Sequence, residues 1–255
     1  MLINGKEVQL KPYPLGYRAT IGHLTPSHDE GYGPYEFRVM SPEGVVTLPT
    51  SVMVRSLTRD HLLTASEGAV AGAKMLATAR VDLINYIATA TCFVLGNEGE
   101  AALVKSIEDA TGIQATAGGI SVVKALRFFG ANKILCYTPY TEAIAAIERE
   151  YFEKAGFEIV GEMNKTFVNP ADVTKVDPYE ILADIVTLAK AHPEAEAVFC
   201  VGGCFRTLEV VDKIEKIIGI PVIGTQQANM WNDLQMCGID DIITGLGQLF
   251  EKPRL

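Results

Sequence analysis

The sequence predicts an α/β protein of two pseudo-symmetric lobes, each a short parallel sheet flanked by helices, with a ligand cleft between them. Three observations carry this reading. Apolar strand-like runs alternate with helical stretches along most of the chain, which is the signature of parallel sheets. Two junctions look alike: residues 81–92 end in small residues and a cysteine ahead of a helix, and residues 195–204 end in glycines and a cysteine ahead of another. A chain of 255 residues, 48% of them hydrophobic, supplies core enough for one large domain or two small lobes. Read as lobes, residues 1–116 with 226–255 form the first and 117–225 the second; a single compact unit is the alternative.

The elements follow in order. "YRATIGHLTP" (17–26) reads as a strand ending at Pro26, and "EFRVMSPEG" (36–44) as a second strand broken by a Pro-Glu-Gly turn. From Ser56 to Ala79 the pattern is helical, with Leu57, His61, Leu62, Ala65, Ala69, Ala73 and Leu76 near one face. "VDLINYIATATC" (81–92) is a buried strand, and 97–112 a helix with an acidic start and Gly112 at its end. Residues 118–139 give a helix, a glycine stop and a strand. Residues 141–161 repeat the theme, with Ile144, Ile147, Tyr151 and Phe152 on one helical face. The polar stretch 162–178 is a linker or a loop over a site. Helix 179–192, strand 195–202, helix 205–217, strand 220–225 and helix 226–237 complete the alternation before the tail.

Composition narrows the partners. The net charge of −9 and a pI near 5.0 set the surface against phosphate backbones and anionic lipid, so nucleic acid and membrane are excluded as partners. The start of the chain lacks a basic stretch followed by an apolar one, so no secretory signal is expected. No apolar run approaches the roughly 20 residues that span a bilayer. Five cysteines are an odd number in a chain of this size, which points to thiols in a reducing cytoplasm rather than a disulfide framework. The spacing in "CVGGC" is C-x3-C with no second Cys/His pair, so no metal is expected. The oligomeric state stays open, a homo-oligomer included.

In parallel sheets, ligands sit at strand C-termini, where helix N-termini present unpaired N–H groups. "ATATC" (88–92) and "VGGCF" (201–205) both fall there. Gly202 and Gly203 let backbone approach a carboxylate, Thr89 and Thr91 add hydroxyls, and a thiol at a helix N-terminus exchanges a proton near neutrality. Such a pair of places suits chemistry at a carbon beside a carboxylate, one group moving a proton while donors hold the enediolate charge. Cys204 and Cys92, each at a strand-to-helix junction, are the candidate thiols. Cys136, Cys200 and Cys237 read as packing. His23, at a strand end, is a candidate base or a hydrogen-bonded strand residue. His28 reads as a loop residue, and His61 and His192 as helix-surface or helix-end residues. Tyr140 is a candidate anion donor or a packed ring. Trp231 and Phe250 read as core or cleft wall.

The order of "TIGHLTP", "MSPEG", "ATATCFVLG", "TPYTEAI…YFEKAGFEI", "GGCFRTLEVVDKIEKIIGIPVIGTQQANMW" and "GLGQLFE" resembles the aspartate/glutamate racemase superfamily. Within it, the likeness is to the branch of arylmalonate decarboxylase and maleate cis-trans isomerase, over roughly residues 18–250. The resemblance implies two pseudo-symmetric lobes and neither metal nor organic cofactor. It implies that Thr89 and Tyr140 bind a substrate carboxylate, that Gly203 donates its amide beside them, and that Pro26 lines the pocket. It also marks departures. Ala88 stands where the racemases and isomerases carry a first catalytic cysteine and the decarboxylase a glycine. Ala90 stands where a second hydroxyl donor would be, and Gly202 where the second catalytic cysteine belongs. Cys204 lies two residues beyond that place and Cys200 two before.

The expected function is therefore a cofactor-independent enzyme acting on a small malonate- or maleate-like acid. The reaction is decarboxylation or isomerisation, through a stabilised carbanion or a cysteine adduct, with Cys204 as proton donor or nucleophile. Two alternatives stand beside it: a hydrolase or lyase of the same fold using His23 and water, and a non-catalytic acid-binding protein.

Overall fold

A computed structural model describes residues 2–3, 6–7, 15–27 and 32–253. Strands β1 (Leu2–Ile3) and β2 (Lys6–Glu7) form a small antiparallel pair. The first half then runs β3 (Ala19–Pro26), α1 (Tyr32–Met40), β4 (Val45–Val52), α2 (Arg59–Glu67), α3 (Ala69–Thr78), β5 (Leu83–Tyr86), α4 (Thr89–Thr111), β6 (Ala115–Ala117) and α5 (Gly118–Phe128). The second half runs β7 (Lys133–Thr138), α6 (Glu142–Lys154), β8 (Glu158–Asn164), α7 (Pro170–Val173), α8 (Pro178–Ala191) and β9 (Ala197–Cys200). A 3-10 turn (Thr207–Glu209), α9 (Val211–Ile218), β10 (Val222–Gly224), α10 (Thr225–Met236) and α11 (Gln248–Glu251) follow.

Two four-stranded parallel sheets result, ordered β4-β3-β5-β6 and β8-β7-β9-β10. The order is the same in both: the first strand lies between the second and third, and the fourth lies outside the third. This is the pseudo-symmetric α/β architecture that the two similar junctions announced. In each sheet the first and third strands are central neighbours, so their C-terminal ends lie side by side. Those ends carry Pro26 and Ala88–Thr89 in one sheet, Tyr140 and Gly202–Cys204 in the other.

Several boundaries differ from the sequence reading, each for a physical reason. Residues 36–44 are not a strand. Tyr32–Met40 is helical because Gly33, Glu36, Phe37 and Met40 are buried, a three-to-four-residue period that serves a helix face. The strand comes later, as β4, and Pro49 within it is tolerated because β4 is an edge. The helix expected over 56–79 is two, α2 and α3, meeting at Gly68. Strand β5 stops at Tyr86, and α4 begins at Thr89, eight residues before the expected 97. Gly96, at φ 72° and ψ 170°, kinks α4 and marks where the sequence pattern first looks helical. The stretch 162–178 continues β8 to Asn164 and then forms α7, over the site. The helix expected from 205 begins at Val211, after the 3-10 turn. His28 lies outside the described residues.

Helix α10 packs against α5, α1 and β5 through a buried polar network. Asp233 takes His23 Nε2 at 2.8 Å and Asn85 Nδ2 at 2.7 Å on its two oxygens. Asn232 donates to Thr116 Oγ1 at 3.0 Å and Ser121 Oγ at 3.1 Å, and accepts from Lys124 Nζ at 3.0 Å. Directional bonds of this kind fix one docking of α10, where an apolar face alone permits sliding. Among the described residues, no helix is long and apolar enough to cross a membrane.

Candidate active site

The four strand ends surround one cavity, with about 500 Å³ of empty space including its mouth. One part of its wall is Pro26 from β3, Ile87, Ala88, Thr89, Ala90 and Thr91 from the β5–α4 junction, Pro139 and Tyr140 after β7, and Gly202, Gly203 and Cys204 after β9. The other part is apolar and buried: Val54, Leu57 and Leu62 follow β4, and Pro170 and Val173 belong to α7, after β8. The two apolar segments are equivalents in the doubled fold. They are joined by the Leu57 amide donating to Val168 O at 3.2 Å.

Nine residues singled out from the sequence come together here: Cys204, Thr89, Thr91, Tyr140, Gly202, Gly203, Pro26, Ala88 and Ala90. The apolar wall residues have no such signal. Leu57 and Leu62 look like ordinary core leucines on a helical face, and Val54, Pro170 and Val173 carry no chemical signal. Only the position of 162–178 as a possible loop over a site hinted at them.

Two named candidates lie elsewhere. His23 is 2% exposed, bonded to Asp233, with its ring packed on Phe37 at a centroid distance of 4.0 Å. Strand alternation explains its absence from the cavity: it sits on the face of β3 that meets α10. Cys92 is not at a junction but one turn into α4, fully buried, its Sγ 3.6 Å from Ala88 O. Burial, with the Glu100 charge beside it, pushes its thiol well above the ordinary range, so it stays protonated.

The two glycines have different reasons. Gly202 has φ +96°, and a Cβ there would meet Pro139 Cγ at 3.0 Å, so a side chain is disfavoured by backbone strain and by a tight contact together. Its amide donates to Thr225 Oγ1 at 2.9 Å, which pins the loop. Gly203 and Cys204 then form the turn that follows it, closed by Phe205 N–H on Gly202 O at 3.2 Å. Cys200, two residues the other side, faces away: its Sγ lies 3.0 Å from Thr207 Oγ1, and burial pushes its thiol up to about 12.

Among the described residues that line the cavity, the side chains with a titratable proton are Cys204 and Tyr140. Burial, then the nearby Glu148 charge, holds the Tyr140 hydroxyl far above its usual range. It therefore keeps its proton and is a hydrogen-bond donor rather than an acid. Thr89 opens α4, where the helix end favours negative charge, and three first-turn amides fold back: Thr89 N–H onto Ile87 O, and those of Thr91 and Cys92 onto Ala88 O. Thr89, Tyr140, the Gly202–Gly203 loop and the Cys204 thiol thus share the wall of one cavity, with the Thr89 hydroxyl donating to Ile87 O at 3.3 Å. Among the described residues, no group of three or more His, Cys, Asp or Glu could hold a metal ion.

Similar proteins have this architecture. The chain is 21% identical over 187 residues to an arylmalonate decarboxylase of Bordetella bronchiseptica, covering 73% of this chain and 78% of that protein. It is 25% identical over 187 residues to a maleate isomerase of Nocardia farcinica (strain IFM 10152), covering 69% and 72%. A solved Nocardia farcinica maleate cis-trans isomerase with a covalently bound succinylcysteine intermediate superposes with a TM-score of 0.84 at 18% identity, over 92% of this chain and 99% of that one. Residues 21–250 match the family model described as arylmalonate decarboxylase, nine-tenths of the sequence including every wall of the cavity, and the chain belongs to that family.

Proposed function

We propose that the protein is a cofactor-independent decarboxylase of small malonate-like acids, with Cys204 as the proton donor. The observation that carries this is the joint placement of Thr89, Tyr140, Gly203 and Cys204 around one cavity whose remaining side chains are mostly apolar. One carboxylate of the acid is held by the Thr89 and Tyr140 hydroxyls and the Gly203 amide. The other faces the apolar part of the wall, where loss of charge is favoured. The C–C bond to that carboxylate breaks and carbon dioxide leaves. The electron pair passes into the retained carboxylate as an enediolate, which the three donors stabilise. Cys204 then gives its proton to the carbon and recovers one from water.

Decarboxylation is favoured over isomerisation because it needs one thiol. Ala88 and Gly202 leave the two places for cysteine empty of sulfur, and Cys204 is the single thiol among the described residues of the wall. The relative with a succinylcysteine intermediate supports the thiol chemistry, with isomerisation of a maleate-like acid as the coarser family alternative. The His23 hydrolase reading is disfavoured by the salt link to Asp233 and by the absence of His23 from the cavity wall. The reading takes 1–116 with 226–255 as one lobe and 117–225 as the other, supported by the bonds from Asp233 to His23 and Asn85.

The test is incubation in deuterium oxide with a panel of aryl- and alkylmalonates and maleate, followed by carbon dioxide release and proton spectra. The expected result is carbon dioxide from at least one malonate and one deuterium at the product carbon. Binding of malonates without turnover supports the acid-binding alternative, and fumarate from maleate supports isomerisation; either overturns the decarboxylase assignment.

A further inference from the structure

Behind Thr89 lies a cluster that the chemistry above does not use. Glu100 is fully buried on α4, beyond the Gly96 kink. Its Oε1 accepts the Ile120 amide of α5 at 3.0 Å, and its Oε2 accepts the Tyr151 hydroxyl from α6. The kink turns the second part of α4 so that a residue eleven positions after Thr89 reaches the start of α5. That start is two glycines. A Cβ at Gly118 would lie 3.2 Å from Thr89 Cβ and closer still to its hydroxyl, and a Cβ at Gly119 would lie 2.7 Å from Glu100 Oε2 and 2.8 Å from Tyr151 Cζ. The first turn of α5 is thus pressed between Thr89 on one side and the Glu100–Tyr151 pair on the other, with no side chain to cushion either contact.

We infer that Glu100 and Tyr151 are positioning residues for the Thr89 hydroxyl, acting through Gly118 and Gly119. This rests on the reading that Thr89 holds a substrate carboxylate. The pair fixes α5 by the Ile120 amide; α5 in turn confines Thr89 through the bare glycine backbone. Loosening the pair lets Gly118 recede, and Thr89 then samples rotamers that do not meet the anion.

The experiment is a double-mutant cycle read by calorimetric titration of malonate into the whole protein. Tyr151→Phe removes only the hydroxyl that bonds Glu100, and Thr89→Ala removes the group being positioned. In the native background, Tyr151→Phe is expected to weaken malonate by about 3–10-fold, the scale of one hydrogen bond; in the Thr89→Ala background the same change is expected to weaken it about 1.5-fold or less. Glu100→Gln, which keeps the acceptor for Ile120, is expected to give the same pattern and serves if Tyr151→Phe melts before the assay temperature. Equal weakening in both backgrounds, or none in the native one, overturns the inference. A different failure marks the underlying reading: if Thr89→Ala binds malonate as the native protein does, or the native protein does not bind it, Thr89 is not a carboxylate donor and the clamp has nothing to position.

Discussion

The Gly202 amide donates to the Thr225 hydroxyl at 2.9 Å, tying the loop that carries Cys204 to the first residue of α10. That bond holds Gly202 at φ +96°, a conformation that an L residue adopts only with strain. Gly202→Cys, which places sulfur where the family resemblance expects it, is therefore expected to lower stability by roughly 1–2 kcal/mol from the backbone alone, with contact against Pro139 added. Gly202→Ala should lose about as much. Urea unfolding at equilibrium checks both, and native-like stability in the cysteine variant would contradict the account of this loop.

Cys204→Ser keeps the shape of the turn and removes an acidic proton. If the thiol delivers the proton to the carbon, kcat on the best malonate of the panel should fall about 10²–10⁴-fold, with KM changed by about 3-fold or less. Full turnover by the serine variant removes Cys204 from the mechanism.

Glu148 gives the protein a pH signature. It is 1% exposed and accepts from Thr138 Oγ1 at 3.0 Å; burial, partly offset by that bond, raises its pKa to about 8. Between its unfolded value near 4.5 and about 8, the folded state keeps a proton that the unfolded chain has released. By linkage, stability is greatest below the unfolded value and falls as pH rises toward 8, by an amount on the order of a few kcal/mol, then levels off. Glu148→Gln should flatten this slope and make the protein more stable than native at pH 8.5. Unfolding curves at pH 5.5 and 8.5 for both proteins decide it, and parallel pH dependence in the two would assign the slope to other groups.

The His23–Asp233 pair separates structure from chemistry. Both side chains are buried, and burial raises the Asp233 pKa while the His23 and Asn85 contacts oppose the rise. Removing one partner of a buried hydrogen bond typically costs about 1–3 kcal/mol, because the other is left unsatisfied. His23→Gln should therefore lower the unfolding midpoint while the folded fraction keeps nearly native turnover. A variant of native stability without activity would return His23 to the site.

The candidate site was legible wherever chemistry follows from position in the chain. Thr89, Tyr140, Gly203 and Cys204 stand at ends of strands whose apolar runs are visible in the sequence, and parallel sheets put ligands at such ends. Cys92 and His23 stand near the same ends, yet one more turn of helix or the other face of a strand takes them out of reach. Periodicity does not reveal this when a helix begins three residues after Tyr86, with small residues at its start. Helix α1 was hidden because its buried face spans three turns at most and ends in a Pro-Glu-Gly turn that suits a strand as well. The apolar part of the wall was illegible for a different reason. Val54, Leu57, Pro170 and Val173 become neighbours only when two sheets face each other, and no local pattern encodes that approach.

The most direct test of the central claim is a crystal structure of the protein with malonate bound. The account expects one carboxylate within hydrogen-bond reach of Thr89 Oγ1, Tyr140 Oη and the Gly203 amide, and Cys204 Sγ within about 4 Å of the central carbon, close to near-attack spacing. Malonate seated away from those three donors, or in place but with the Cys204 sulfur turned out of the cavity, would contradict it.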